Sequence, residues 1–334
     1  MARRFISQLG HQETINDLFL ATDKQLRPNR NGNLYLQVEL RDRTGSIPTR
    51  VWNATESLYH SFENGDYVLV EGTTQIYQGG LQMIATQITR VPADEVDTAD
   101  FQLLSNRDID RLAARLSDIL RGMQNMHLRN LAECFLLDQD LMSKFCRCPA
   151  GVKNHHAYTG GLLDHVVNLM EVIVRVIDRY PAVDRDLLLM GAFLHDLGKI
   201  NELSYDRGFA YTDEGQLVGH LVMGVGILDA KVQEAEKLSG EPVPYETVLR
   251  LKHMIVSHHG EYEFGSPKLP MTLEAVALHQ LDNLDAKIHS YQQQMRDDPN
   301  CETPWTMFNH QIGRKLYKGM PGSGTPATAD NTAG

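Results

Sequence analysis

Leu187-Leu188-Leu189-Met190-Gly191-Ala192-Phe193-Leu194-His195-Asp196-Leu197-Gly198-Lys199 is the stretch that decides how the larger part of this chain folds. The run before His195 is apolar on nearly every side, which predicts a helix in the centre of a core. Gly198 then breaks it, so two adjacent polar side chains stand where a buried helix ends. Imidazole and carboxylate are costly to bury without partners, and a metal ion is a partner that serves both. Working outward, His165 lies upstream and His220, His258, His259 and Asp282 follow, in the order H…HD…H…HH…D. That is enough nitrogen and oxygen for two divalent ions. Ten of the fourteen histidines fall between His155 and His289. A single histidine is ordinarily a satisfied core or surface residue; seven such residues in this order predict a metal-dependent enzyme.

Helical periodicity surrounds the doublet. Leu112, Leu116, Ile119 and Leu120 form one stripe, and helices are expected over 128–145, 162–179, 186–197, 217–238, 245–257 and 273–293. His165 stands one turn after Gly160-Gly161, His220 opens a long helix, His258-His259 ends another before Gly260, and Asp282 lies mid-helix. Lys199, four residues past His195, could return to the same side as a phosphate contact. Lys153, His155 and His156 precede the first ligand and could hold the substrate phosphate or terminal sugar; packing within a loop is an equal alternative. His279 could replace a neighbouring ligand, whereas His253 is out of phase with His258 and reads as structural. Asp285 reads as the partner of a ligand histidine. Glu202 receives no role.

Before residue 95 the period changes to two. Leu34, Leu36, Val38 and Leu40 alternate with polar neighbours, then Ile47, Thr49 and Val51 do the same after the turn 42–45. Strands are expected over 14–23, 34–41, 47–52, 67–72 and 81–91, with a short helix over 54–62 and a turn at Gly79-Gly80. Five strands with a helix between the third and fourth predict an OB-fold barrel. Tyr35, Trp52, Arg41 and Arg50 fall on its outward phase, with Tyr77, Arg27, Arg30 and Arg43 expected in loops. Such a mixture can stack unpaired bases and neutralise phosphates; closing the barrel or packing on a second domain would use Tyr35 and Trp52 equally well.

At 334 residues the chain exceeds one small core, and the expected division is 1–95 barrel, 96–150 helical connection, 151–300 metal domain and 301–334 C-terminal extension ending in a disordered tail. The fold class is thus multidomain, all-β barrel then all-α. A net charge of −11 argues against coating duplex nucleic acid through bulk charge. No window approaches the length of apolar sequence that spans a bilayer. MARRFISQLGHQ lacks the apolar core of a secretion signal, and four cysteines without a second C-x-C pair predict reduced thiols and a cytoplasmic protein.

NHHAYTGGLLDH, FLHDLGK, GHLVMG, RLKHMIVSHHGEYEFGSPKLP and LHQLDNLDAK resemble the HD-domain metal-dependent phosphohydrolases. With a barrel ahead of them, residues 12–296 resemble the YhaM-like bacterial 3′→5′ exoribonucleases. The resemblance implies that Asp196 bridges two metals, with His165, His195 and Asp282 completing one site and His220, His258 and His259 the other. It implies catalysis centred on Asp196 and Lys199, manganese as the first expectation with iron or zinc as alternatives, and single-stranded RNA or DNA as substrate. A homo-oligomer is the expected assembly. Hydrolysis of a free or cyclic nucleotide, di-iron oxygenation and a non-catalytic adaptor are the competing functions. The missing GYP element after His258-His259 weakens the cyclic-di-GMP reading, and the intact ligand set weakens the adaptor.

Overall fold

The computed structural model describes residues 3–29, 31–77, 80–152, 156–205, 209–296, 298, 300, 303–310 and 312–319. Five strands, β1 (Thr14–Pro28), β2 (Leu34–Asp42), β3 (Gly45–Trp52), β4 (Tyr67–Tyr77) and β5 (Gly80–Val91), close into a barrel of order β1-β2-β3-β5-β4. Of these pairs β3 and β5 run parallel, through Thr49–Met83 and Arg50–Ile84. The inward phase of each strand, including Phe19, Leu36, Val38, Leu40, Val68, Val70 and Met83, is buried, so the alternation in the sequence becomes the barrel core.

Two strands outrun the sequence expectation. β4 continues past Gly72 to Tyr77 because Gly72 is a close-approach residue rather than a strand end. It follows a register shift after Glu71, and a Cβ added there would stand 2.6 Å from the Ile84 carbonyl oxygen. Tyr77 is therefore a strand residue paired with Gly80, not a loop residue. β1 likewise runs to Pro28 through a bulge between Thr22 and Gln25, so Arg27 lies on a strand opposite Tyr35 instead of in a loop. The bulge turns Lys24 inward, where Nζ donates to the Tyr59 carbonyl at 2.7 Å and pins α1 (Glu56–Tyr59) over the barrel end. Arg30 and Gly79 lie outside the described residues.

The helical part comprises α2 (Asn106–Arg121), α3 (Met126–Leu136), α4 (Gln139–Arg147), α5 (Gly161–Val176), α6 (Arg185–Leu194), α7 (Lys199–Glu202), α8 (Asp213–Val218), α9 (His220–Ser239), α10 (Tyr245–Ser257) and α11 (Leu273–Arg296). The single helix expected over 128–145 is two helices. Asp138 leaves the helix and its carboxylate accepts from the Leu141 amide at 3.0 Å, starting α4 afresh. The N-terminal helices α2 to α4 share one core with α5, α6, α9, α10 and α11 through Leu120, Phe135, Phe145, Met170, Phe193, Leu228, Met254 and Leu278. Phe193 meets Phe135 and Phe145 edge-on. The chain forms two compact units: Leu103–Ser290, and Met1–Gln102 grouped with Tyr291–Gly334.

Candidate metal centre and strand-binding face

Helix α6 stops at Leu194, and His195-Asp196 follow in the turn that leads into α7. Gly198 makes this turn possible: a Cβ on it would fall 2.0 Å from the His220 carbonyl oxygen, so only glycine lets the doublet sit against the start of α9. His165 on α5, His220 at the head of α9, His258-His259 at the end of α10 and Asp282 on α11 converge on the same point.

Asp196 occupies the centre. Its Oδ1 lies 3.5 Å from Nε2 of His220 and 3.5 Å from Nε2 of His258. Its Oδ2 lies 3.5 Å from His195 Nε2 and pairs with Lys199 Nζ at 2.6 Å. The two oxygens of one carboxylate thus face two different sets of imidazoles. On the Oδ2 side, His165 Nε2 stands 3.2 Å from Asp282 Oδ1 and 3.3 Å from His195 Nε2. Histidines 220, 258 and 259 form the other set, close enough to share one ion.

The tautomers follow from the outer contacts. His195 Nδ1 donates to the Ala192 carbonyl at 2.8 Å and His258 Nδ1 to the Ile255 carbonyl at 2.8 Å. His165 Nδ1 donates to Asp285 at 2.6 Å, and His220 Nδ1 to Glu202 at 2.9 Å. Each of the four rings therefore turns its Nε2 inward, and a ring that keeps its one proton at Nδ1 presents a lone pair there. Imidazole lone pairs and carboxylate oxygens then face one another with Lys199 as the cation among them. Asp196 Oδ1, His220 Nε2 and His259 Nδ1 are buried without a hydrogen-bond partner. Buried acceptors without donors are what a bound cation satisfies, so these residues fit divalent metal.

The electrostatics agree. Burial would raise the Asp196 carboxyl, but Lys199 and His195 hold it well below the usual range. Burial would lower Lys199, yet Asp196 keeps its ammonium raised. Burial pushes His258 down to about 4, leaving a neutral ring. Burial would also lower His165, but Asp282 and Asp285 outweigh it and carry the ring up to about 10. That corner of the pocket calls for positive charge.

Glu202 is the functional residue that sequence reasoning missed. Its Oε1 accepts from both the backbone amide and Nδ1 of His220, each at 2.9 Å, so it starts α9 and aims its first side chain together. Closeness to the doublet in sequence was its one signal. Asp285 takes the partner role read for it, receiving His165 and, at 3.2 Å, His156 Nε2. His156 is buried, its Nδ1 meets the Tyr158 hydroxyl at 2.8 Å, and its ring stacks on His289. Both its ring nitrogens are therefore engaged by protein groups. Lys153 and His155 lie outside the described residues. His279 Nδ1 donates to the His258 carbonyl at 2.8 Å and so braces the ligand turn, while His253 Nε2 accepts from the Met271 amide at 2.9 Å.

On the barrel, Arg27, Tyr35 and Trp52 are direct cross-strand partners on β1, β2 and β3, giving one continuous row. The Tyr35 and Trp52 rings lie 5.4 Å apart, and the Arg50 guanidinium stands 5.9 Å from the Trp52 ring and 5.5 Å from that of Tyr77. Arg41 is not part of this group; it pairs with Leu20 and Ser46 at the other end of β2.

An OB-fold followed by an HD domain is the class that these two parts define. The family model described as an OB-fold nucleic acid binding domain matches residues 21–91, and that of the HD domain matches residues 162–287. The chain is 34% identical over 283 residues to the 3′-5′ exoribonuclease YhaM of Geobacillus sp. (strain WCH70), covering 84% of each chain. It is 35% identical over 260 residues to the YhaM of Bacillus subtilis (strain 168), covering 78% of this chain and 80% of that one. This chain belongs to the YhaM 3′-5′ exoribonuclease family. Among solved structures, the second OB-fold domain of replication protein A from Methanococcus maripaludis aligns over 27% of this chain and 94% of that domain, at 22% identity and a TM-score of 0.22. No helix among the described residues is long and apolar enough to cross a membrane.

Proposed function

We propose that this protein is a metal-dependent 3′→5′ exoribonuclease that hydrolyses the phosphodiester bonds of single-stranded RNA. The observation that carries the chemistry is the convergence of the Nε2 atoms of His195, His220 and His258 on Asp196, whose two oxygens face separate sides, with His165 Nε2 beside His195 and Asp282. In this reading His165, His195 and Asp282 hold one ion, His220, His258 and His259 hold the other, and Asp196 serves both. Bound divalent ions supply Lewis acidity toward phosphoryl oxygens and generate hydroxide near neutral pH. Lys199 keeps its charge beside Asp196, orients that carboxylate and adds positive potential where negative charge builds on the phosphate. Glu202 and Asp285 hold His220 and His165 in the tautomer that presents Nε2.

Mixed imidazole and carboxylate donors favour manganese, with iron or zinc as substitutes, over magnesium, which prefers oxygen donors. The row Arg27–Tyr35–Trp52 with Arg50 and Tyr77 holds the strand by stacking and charge without reading its sequence, so single-stranded DNA can also bind. The protein works in the cytoplasm and assembles as a homo-oligomer. The deciding experiment is a time course on 5′-labelled single-stranded RNA, with manganese present or chelated, beside Asp196→Asn. A metal-dependent ladder that shortens from the 3′ end and is missing from the variant is expected. An intact strand in every lane, with a small diester still hydrolysed, would transfer the function to free nucleotides.

A further inference from the structure

Beyond α11 the chain forms a small hairpin that composition alone does not reveal. Trp305 bridges Tyr317 and Asn309 bridges Arg314. Asp298 ties its two arms together, accepting from the Met307 amide at 2.9 Å and from Lys318 Nζ at 2.8 Å. Thr306 and Leu316 turn inward, joined by the Thr306 amide to the Leu316 carbonyl and the Leu316 amide to the Thr306 hydroxyl, both at 2.8 Å. The opposite phase turns outward. Trp305 is 47% exposed and Tyr317 49% exposed, with their rings 5.1 Å apart in a T-shaped pair. Lys315 lies two residues from Tyr317 on the same phase, Arg314 is exposed beside it, and neither forms an ion pair among the described residues. No aspartate or glutamate occurs from 303 to 319, in a chain whose net charge is −11.

Large apolar rings held outward are costly to leave in water unless something covers them. Rings beside cations without carboxylate partners fit a flat-faced polyanion. We propose that the hairpin built from residues 303–310 and 312–319 is a second binding element for single-stranded nucleic acid, in which Trp305 and Tyr317 stack on bases while Arg314 and Lys315 contact phosphates. It groups in the same compact unit as the barrel. This inference rests on the exoribonuclease reading above.

The test uses the full chain and a long fluorescein-labelled oligouridylate, with chelator present to prevent cleavage, and follows binding by anisotropy. Trp305→Ala with Tyr317→Ala should weaken affinity about tenfold. Trp305→Phe with Tyr317→Phe should restore most of it, because stacking survives and the hairpin keeps two aromatic rings. Arg314→Glu with Lys315→Glu leaves the rings in place and should reduce the slope of log affinity against log salt by roughly 1.4, about 0.7 for each phosphate that is no longer neutralised. With manganese added, the fall in activity on the long strand should exceed the fall on bis(p-nitrophenyl) phosphate by about fivefold. Unchanged affinity and salt slope in these variants would overturn the proposal. So would a fall in sedimentation mass with RNA affinity intact, which would make the hairpin a protein–protein surface. A wild-type chain that neither binds nor shortens the strand would defeat the exoribonuclease reading itself, and this one with it.

Discussion

The helical pocket and the barrel face treat polar groups in opposite ways. In the pocket each of four imidazoles is fixed at Nδ1 by an acceptor from its own turn or from another helix, so its inner nitrogen has one orientation. On the barrel, Tyr35, Trp52, Arg50 and Tyr77 meet through ring contacts and stay partly open to solvent. The difference reflects the tasks. Hydrolysis needs donors placed to a fraction of an ångström, and burial with buried partners is what supplies that placement. Holding a strand of any sequence needs flat faces and positive charge that tolerate sliding, which rigid hydrogen bonding would hinder.

The comparison breaks most sharply at Asp196. Asp196→Asn keeps the shape but removes the charge that both ligand sets share, and RNA trimming should fall by about a thousandfold or more. Metal analysis of the purified variant should show the depletion too, while anisotropy with RNA should change little; a variant that still held two ions would place the bridge elsewhere. Next come the outer carboxylates. Glu202→Ala and Asp285→Ala should each weaken metal binding by about 10- to 100-fold, the usual scale when a ligand histidine is deprived of its partner. Manganese titration should resolve them, because Glu202 serves the His220 side and Asp285 the His165 side. Equal effects on both ions would mean that the sites do not act separately.

On the barrel the expected effects are smaller. Trp52→Ala with Tyr77→Ala should weaken long-strand binding about tenfold, the scale of one or two base stacks. The fall should be greater on long RNA than on a small diester, and comparable falls on both would remove the division of labour between the two parts. The smallest effect belongs to the frame of the pocket. Glu274 is buried on α11, and burial would raise its carboxyl, but the Asp184 amide and Arg250 hold it below the usual range. A depressed carboxylate pKa stabilises the fold above the unfolded value near ~4.3, and that contribution disappears as pH falls through the folded value. Glu274→Gln should therefore cost about 1 kcal/mol at pH 7 and flatten the acid limb of stability. Thermal melts between neutral pH and about pH 3 read this directly; an unchanged acid limb would show that the Arg250 contact carries no linkage.

Much of the fold was readable because its signals are local. Alternation of Leu36, Val38 and Leu40 announces a strand, the apolar run before His195 announces a central helix, and Gly198 and Gly260 announce where ligand-bearing helices stop. The strand bounds were less readable. Gly72 looks like a terminator until its close approach to the Ile84 carbonyl is seen, and Asp138 looks like one more polar helix residue until it caps α4. Both depend on where another backbone segment or a free amide lies.

The sequence by itself determined the inventory: five strands then helices, and the seven histidines and aspartates that cluster in the pocket. Periodicity and residue type are properties of neighbours along the chain, and these features need nothing more. Only the tertiary structure decided which nitrogen of each imidazole faces inward, that Glu202 aims His220, that Asp285 joins His165 to His156, and that Trp305 meets Tyr317. Asp285 and His165 are 120 residues apart in the chain, and a hydrogen bond over that separation leaves no periodic trace. A tautomer is set by the partner on the far side of the ring, and that partner exists only once the helices have packed.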